Sequence, residues 1–356
     1  MKTGSISILL FTVLFGVSCG SNVQEHGRKD ENPTIQFVDN EAEKRVDVMI
    51  DGKLFTSYWW PDSVYKPVLY PILTSGGTPI TRGFPIKPRE GERRDHIHQV
   101  GNWLNYGNVN GYDFWGNGSE GKRNVNDGQI KHLSIVNLSD GTGEGTMTTT
   151  ASWIDPAGKE ILAERTEFHF IAKGSTRIID RIETLTSSGE AVTMKDTKEG
   201  SFGLRVARQL ELPSKEDITL TDAAGHPTTV KKMSNDDVTG NYKSSEGVTG
   251  EAVWGKRAKW MDLFGSIGDE KISVVICDHP ENLNYPTYWH ARGYGLFAAN
   301  PFGVKDFTEG KQELNYTIPA RGSLKLRYRI IVSSGAANLT DVEINAYTED
   351  FVKRYQ

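Results

Sequence analysis

Apolar and polar residues alternate along stretch after stretch of this chain, and that period of two constrains its fold more than any other feature. Arg45-Val46-Asp47-Val48-Met49-Ile50 alternates, and Asp51-Gly52 then supplies a tight turn into Lys53-Leu54-Phe55-Thr56-Ser57-Tyr58. Residues 132–138, 145–154, 161–171, 177–185 and 324–332 repeat the pattern, with Asp155-Pro156-Ala157-Gly158 as a further turn. On a strand, residues i and i+2 share a face, so each segment offers one side to a core and the other to water or a ligand. Helix-period stretches are nearly absent. The exception is the C-terminus, where Thr340-Asp341-Val342-Glu343 is a capping box and Ile344, Tyr347, Phe351 and Tyr355 fall on one face. The expected fold is all-β: a large antiparallel β-sandwich with a short C-terminal helix. No low-complexity linker or fixed-period repeat interrupts residues 34–356, which read as one domain large enough to bury a substantial core.

The N-terminal residues read as targeting. Lys2 precedes an apolar run, residues 6–17, too short to span a bilayer comfortably. Gly16-Val17-Ser18-Cys19 follows with small residues before a cysteine, as in a bacterial lipoprotein signal over residues 1–19. Cys19 is then the lipidated first residue, and residues 20–33, polar and aperiodic, form a flexible tether. An ordinary secretory signal is the alternative. The expected location is the periplasm, lipid-anchored to a membrane. The second of the two cysteines, Cys277, lies in an apolar strand and is left without a partner, so it reads as a buried, inert thiol. Net charge is −5 with both signs mixed along the chain, and no basic stripe points to nucleic acid.

Three clusters carry chemistry. The first is Arg93-Arg94-Asp95-His96-Ile97-His98-Gln99, followed by Trp103, Asn110 and Trp115. If the segment is extended, His96 and His98 stand side by side, and imidazoles serve proton transfer or metal ligation near neutral pH. Asp95 could fix the tautomer of either. His-x-His lacks a defined third ligand, so a divalent metal on His96 and His98 and no cofactor at all both stay open. The alternative is a pair of surface histidines on a strand edge. The second cluster, residues 195–206, brings Asp196, Glu199 and Arg205; the two acids could be paired carboxylates, or the charges a solvated loop. The third is Tyr288-Trp289-His290-Ala291-Arg292-Gly293-Tyr294-Gly295. There indole, imidazole and guanidinium lie within four residues, as stacking on a pyranose and donation to its hydroxyls require. Its alternative is an apolar hairpin with His290 toward solvent. Trp59-Trp60-Pro61 adds a possible stacking surface near Arg82, and Trp153 and Trp254 read as core residues.

These clusters together resemble the bacterial PmoA-like domain family, labelled "methane oxygenase PmoA". The matching residues are Thr81-Arg82-Gly83-Phe84-Pro85, Asp95-His96-Ile97-His98-Gln99 with Trp103, and Asn108-Val109-Asn110-Gly111-Tyr112-Asp113-Phe114-Trp115. Further on come Lys198-Glu199-Gly200-Ser201-Phe202-Gly203-Leu204-Arg205 and the Tyr288–Gly295 stretch, so that residues 34–334 are covered. Where that family commonly shows adjacent histidines followed by Arg-Gly, this chain has His98-Gln99-Val100-Gly101. The resemblance implies a secreted or periplasmic protein of sugar catabolism, with a sandwich similar to galactose-mutarotase-like domains and a histidine and a carboxylate as acid and base.

The reading is therefore acid–base chemistry (isomerisation, elimination or hydrolysis) on a sugar or keto-sugar. His96, His98, Glu199 and His290 are its catalytic candidates. Arg82, Trp103, Asn110, Trp115, Asp196, Arg205, Trp289 and Arg292 are the substrate-binding ones. Arg82 is expected at the rim of the site, and Trp103, Trp115 or Trp289 as a wall. The partner is a small molecule or oligosaccharide. One alternative is a glycan-binding lipoprotein without turnover. A minor one, from the family label, is a copper-dependent oxygenase relative, although none of the six methionines clusters with the histidines.

Overall fold

The computed structural model describes residue 1 and residues 32–116, 123–231 and 234–356. The signal and tether expectations, Cys19 included, fall on residues outside that set. Residues 32–356 form one compact unit.

Two large antiparallel sheets face each other. The first has nine strands, in the order Tyr288–Ala291, Leu296–Asn300, Gly200–Arg205, Asn102–Tyr106, Val68–Ile72, Lys53–Trp59, Arg45–Ile50, Thr34–Asn40 and Gly141–Thr142. The second has eight, in the order Asn241–Ser244, Trp260–Ile267, Glu270–Asp278, Ser323–Gly335, Thr176–Ser187, Glu160–Lys173, Glu144–Ile154 and Gln129–Ser139. The all-β sandwich expected from the alternation is the observed fold. Asp51 and Gly52 adopt φ of 49° and 72°, the left-handed pair that a two-residue hairpin turn demands.

Alternation decides what each strand buries. Leu104, Tyr106, Phe202, Leu204, Phe297 and Ala299 point into the core between the sheets, where they meet Phe168, Phe170, Ile330 and Tyr328 from the opposite sheet. The other face of the nine-stranded sheet is covered by a separate cluster, with Val68, Val100, Trp103, Trp115, Leu296 and Ala298 buried together. The outer face of the eight-stranded sheet is covered by the C-terminal helix, Asp341–Arg354, whose Ile344 and Phe351 are buried beside Val275, Cys277 and Ile331. The capping box forms: Thr340 Oγ1 accepts from Glu343 N, while the Glu343 carboxylate accepts from Thr340 N. Cys277 is buried, and burial pushes its thiol up to about 12.

Candidate functional site on the nine-stranded sheet

The covered face of the nine-stranded sheet carries several of the candidate residues. One row of residues runs across four adjacent strands: Trp103 pairs with Gly203, Gly203 with Ala298, and Ala298 with His290. Directly opposed residues share a face, so these four line a single surface. The middle two are small. A Cβ on Gly203 would stand 2.5 Å from a Trp103 ring carbon, so the indole rests on the glycine. Trp115 comes from the chain beyond the strand Asn102–Tyr106. Its ring lies 5.7 Å from Trp103 and 6.3 Å from His290, the latter at an angle of only 18°. His98 adds a ring 6.0 Å from Trp115, and Phe307 one 6.1 Å from His290.

The segment carrying His96 and His98 is not a strand, contrary to the extended geometry expected. His96 has a left-handed φ of 42°, and Gln99 N donates to His96 O at 2.9 Å, closing a turn. The imidazoles consequently meet edge to face, 5.8 Å apart at 79°, rather than side by side. Arg82 fixes that turn. Its Nη1 donates to the Asp95 carboxylate (2.6 Å) and to the Asp95 and Arg93 carbonyls, and its Nη2 to the carbonyls of His96 (2.9 Å) and Gln99 (3.1 Å). Arg82 is 1% exposed, so it does not stand at the rim as expected; its guanidinium holds the backbone around the histidines. Arg205, fully buried, does the same from the neighbouring strand, donating to Asp95 Oδ1 at 2.7 Å and Gln99 Oε1 at 2.6 Å. Lys66 Nζ donates to His98 O at 2.7 Å and lies 5.5 Å from the Trp103 ring centre.

His96 is the most open of the three histidines, its side chain 40% exposed, with Asp95 Oδ2 3.4 Å from its Nδ1. It stacks on Tyr294 at 5.0 Å, and the Arg205 guanidinium sits 4.8 Å from the same phenol ring.

Burial first, then the charges of Lys66, Arg82 and Arg205, pushes the His98 imidazolium down to about 2. Burial, then Arg292 and Lys198, brings His290 to about 3. Both rings are therefore neutral at physiological pH, able to accept hydrogen bonds but weak as bases. Burial alone would lift Asp95, but its hydrogen bond to His96 and the two guanidiniums outweigh this and hold the carboxyl well below its ordinary range. Lys66, out of water, falls to about 7, with Asp113 opposing the change.

Other expected site residues take structural roles. Trp289 does not form a wall: on the strand Tyr288–Ala291 it points opposite to His290, into the inter-sheet core, where its Nε1 donates to Ala258 O. Asp196 and Glu199 do not pair. Asp196 accepts from the backbone of Val304, Lys305 and Leu314 and so ties down a loop, while Glu199 pairs with the Lys198 ammonium. Asn110 Oδ1 accepts from Thr193 N, and its side chain lines a different cleft of about 490 Å³ with Tyr112. Trp60 stacks on His132 at 4.0 Å, away from the Arg82 clamp, and Trp254 is half-buried in a cleft instead of the core. That cleft, about 460 Å³, is shared by Arg93, Arg292, Tyr294 and Trp254, so Tyr294 connects it to His96. Among the described residues no group of three or more His, Cys, Asp and Glu is placed to hold a metal ion, and no helix is long and apolar enough to cross a membrane.

Sequence reasoning singled out neither Lys66 nor Tyr294. Lys66 is one lysine beside a proline with no local signal. Tyr294 lay inside a quoted motif, and its glycine neighbours marked a turn that could present a ring.

A family model described as "Family of unknown function (DUF6807)" matches residues 45–349. The chain belongs to the DUF6807 family. The resemblance to the PmoA-like family is corrected by that match, and the copper-oxygenase alternative that rested on its label goes with it. No curated protein matches this DUF6807 chain in sequence. Among solved structures it is similar to a GH36 α-galactosidase from Geobacillus stearothermophilus in complex with stachyose. The TM-score is 0.38 at 12% identity, covering 90% of this chain and 43% of that one. It is also similar to a putative aldose 1-epimerase from Escherichia coli K12, with a TM-score of 0.33 at 10% identity, covering 85% and 99%. A galactose mutarotase related enzyme from Lactobacillus acidophilus gives 0.29 at 10%, covering 86% and 99%. The DUF6807 chain thus spans less than half the length of the α-galactosidase.

Proposed function

We propose that this protein performs acid–base chemistry on a sugar or keto-sugar at the histidine cluster of the nine-stranded sheet. One observation carries the reading: His98 and His290, nearly 200 residues apart, are held neutral beside one indole, Trp115, while His96 stands open next to them against Tyr294. His96, open to solvent with the Asp95 carboxylate 3.4 Å from its Nδ1, is placed to move a proton to or from a hydroxyl or a carbon beside a carbonyl, while the neutral His98 and His290 can accept hydrogen bonds. Tyr294, half-buried at the wall of the adjoining cleft, supplies an aromatic edge against which a pyranose can pack. Mass spectrometry of the purified protein with mono- and disaccharides and their oxidised keto forms tests this. His96→Ala and His290→Ala are expected to abolish conversion while sugar binding persists. If wild type binds sugars and converts none, the site is a glycan receptor, which the aromatic walls equally favour.

A periplasmic, lipid-anchored location belongs to the same proposal, motivated by Gly16-Val17-Ser18-Cys19. Cys19→Ser should release the protein into the soluble periplasmic fraction, and unchanged membrane association would sink the anchor.

A further inference from the structure

We infer that the cleft beyond Tyr294 selects an anionic sugar, one bearing a carboxylate, with Arg292 as the group that reads the charge. The inference rests on the proposed carbohydrate site and names its substrate class. The cleft measures about 460 Å³, within the range of small-molecule pockets, and shares Tyr294 with the histidine cluster. Arg292 lies over the Trp254 ring with its guanidinium 5.2 Å from the ring centre. Stacking of this kind fixes the plane of the guanidinium and leaves its edge free to donate. Among the described residues that edge meets no hydrogen-bond acceptor and no carboxylate, and Trp254 Nε1 is likewise buried without an acceptor.

The neighbouring cations have partners of their own. Asp95 alone answers both Arg82 and Arg205. Arg93 is matched by Glu211 and Lys198 by Glu199, which leaves Arg292 unmatched. Two carboxylates line the cleft, Glu216 and Glu251; both are exposed and neither pairs with Arg292. An arginine in this position, unpaired and stacked, suits the two oxygens of a carboxylate, which a guanidinium can bind through parallel N–H donors. A uronate ring set against Tyr294 would bring its hydroxyl-bearing carbons toward His96 and its carboxylate toward Arg292.

The test is ligand-observed NMR titration of the whole protein with D-glucuronate and D-galacturonate, with D-glucose and D-galactose as neutral counterparts, and with acetate. At least tenfold tighter binding of the uronates than of the hexoses and of acetate is expected. Arg292→Gln should reduce the uronates to the level of the hexoses, and Arg292→Lys, which keeps the charge but loses the fork, should give an intermediate affinity. Equal binding of uronates and hexoses overturns the inference while leaving the carbohydrate site standing. Acetate binding as tightly as the uronates overturns it too, since the cleft is then a simple anion site. No response to any of the sugars defeats both this inference and the carbohydrate reading beneath it.

Discussion

The imidazole of His96 lies flat on the phenol ring of Tyr294, centroids 5.0 Å apart and planes within 4° of parallel. The stack orients the one histidine of the cluster that is open to solvent. Aromatic stacking contributes about 0.5–1.5 kcal/mol, and the Arg205 guanidinium over the same ring about 0.5–2 kcal/mol. Tyr294→Leu should therefore lower turnover on the order of tenfold to a hundredfold. Tyr294→Phe keeps the ring and should stay near wild type. Equal losses in the two variants would mean that the hydroxyl, not the stack, matters.

Asp95 stands between Arg82 and Arg205, both out of water. Asp95→Asn would leave two buried guanidiniums facing each other without a counter-charge. Breaking a buried pair costs about 3–5 kcal/mol, and the lower end is expected because a third of the Asp95 side chain meets solvent. Urea unfolding measures it. The Asp95 carboxyl is held below its ordinary range, so its stabilisation is complete above about pH 4 and fades as pH falls further, a dependence that the variant should lack. A loss below 1 kcal/mol would show that the clamp is dispensable.

His98, His290 and His132 bind protons more weakly in the folded protein, with values near 2, 3 and 4, burial being the main cause in each. Above about pH 6.5 folded and unfolded forms are both neutral at these rings. As pH falls below that point the unfolded chain takes up protons that the folded one refuses, and stability declines toward the folded values. The slope of stability against pH between about 4 and 6.5 should become shallower in His290→Gln. Any conversion that uses a neutral His98 or His290 should persist well below the pH at which an ordinary histidine base is lost. A steep loss of activity centred on the ordinary histidine value would show that neither buried ring is the group on which conversion depends.

The C-terminal helix is locked by a second buried pair. Arg329 donates to both Asp180 oxygens at 2.6 and 2.8 Å and, through Nη1, to Asp350 and to the Tyr347 carbonyl, while Tyr355 OH donates to Asp180. Asp180→Asn should cost about 3–5 kcal/mol and speed hydrogen exchange in residues 341–354 before the rest of the fold. Uniform acceleration across the molecule would show that the helix and sheets open as one unit.

The sandwich was legible because alternation is a local signal: Val46, Val48 and Ile50 announce a buried face without reference to any other part of the chain. The helix was legible for the same reason, its cap and apolar stripe lying within sixteen residues. At the site, chemistry was legible by residue type at His96, His98, Trp115 and His290, but orientation was not. Trp289 and His290 are neighbours in sequence, and only the register of their strand against Leu296–Asn300 decides which faces the core. His96 and His98 were misread as extended because the turn is imposed from a distance by Arg82, whose hydrogen bonds no local pattern records. Asp196 resembled a catalytic acid for a similar reason, since its partners lie more than a hundred residues ahead.

The row Trp103–Gly203–Ala298–His290 has two small residues at its centre, and their opposite faces belong to strands whose Phe202, Leu204, Phe297 and Ala299 hold the sheets together. Four strands in register place the two ends of the row about 14 Å apart. The space above the two small residues is filled by the Trp103 indole and its neighbours, side chains that contribute nothing to joining the sheets. A larger residue at position 298, which is fully buried, would have to displace that aromatic cover, while the inner faces of the strands keep their packing. The cover of this sheet can therefore be repacked one floor residue at a time while the scaffold stays fixed.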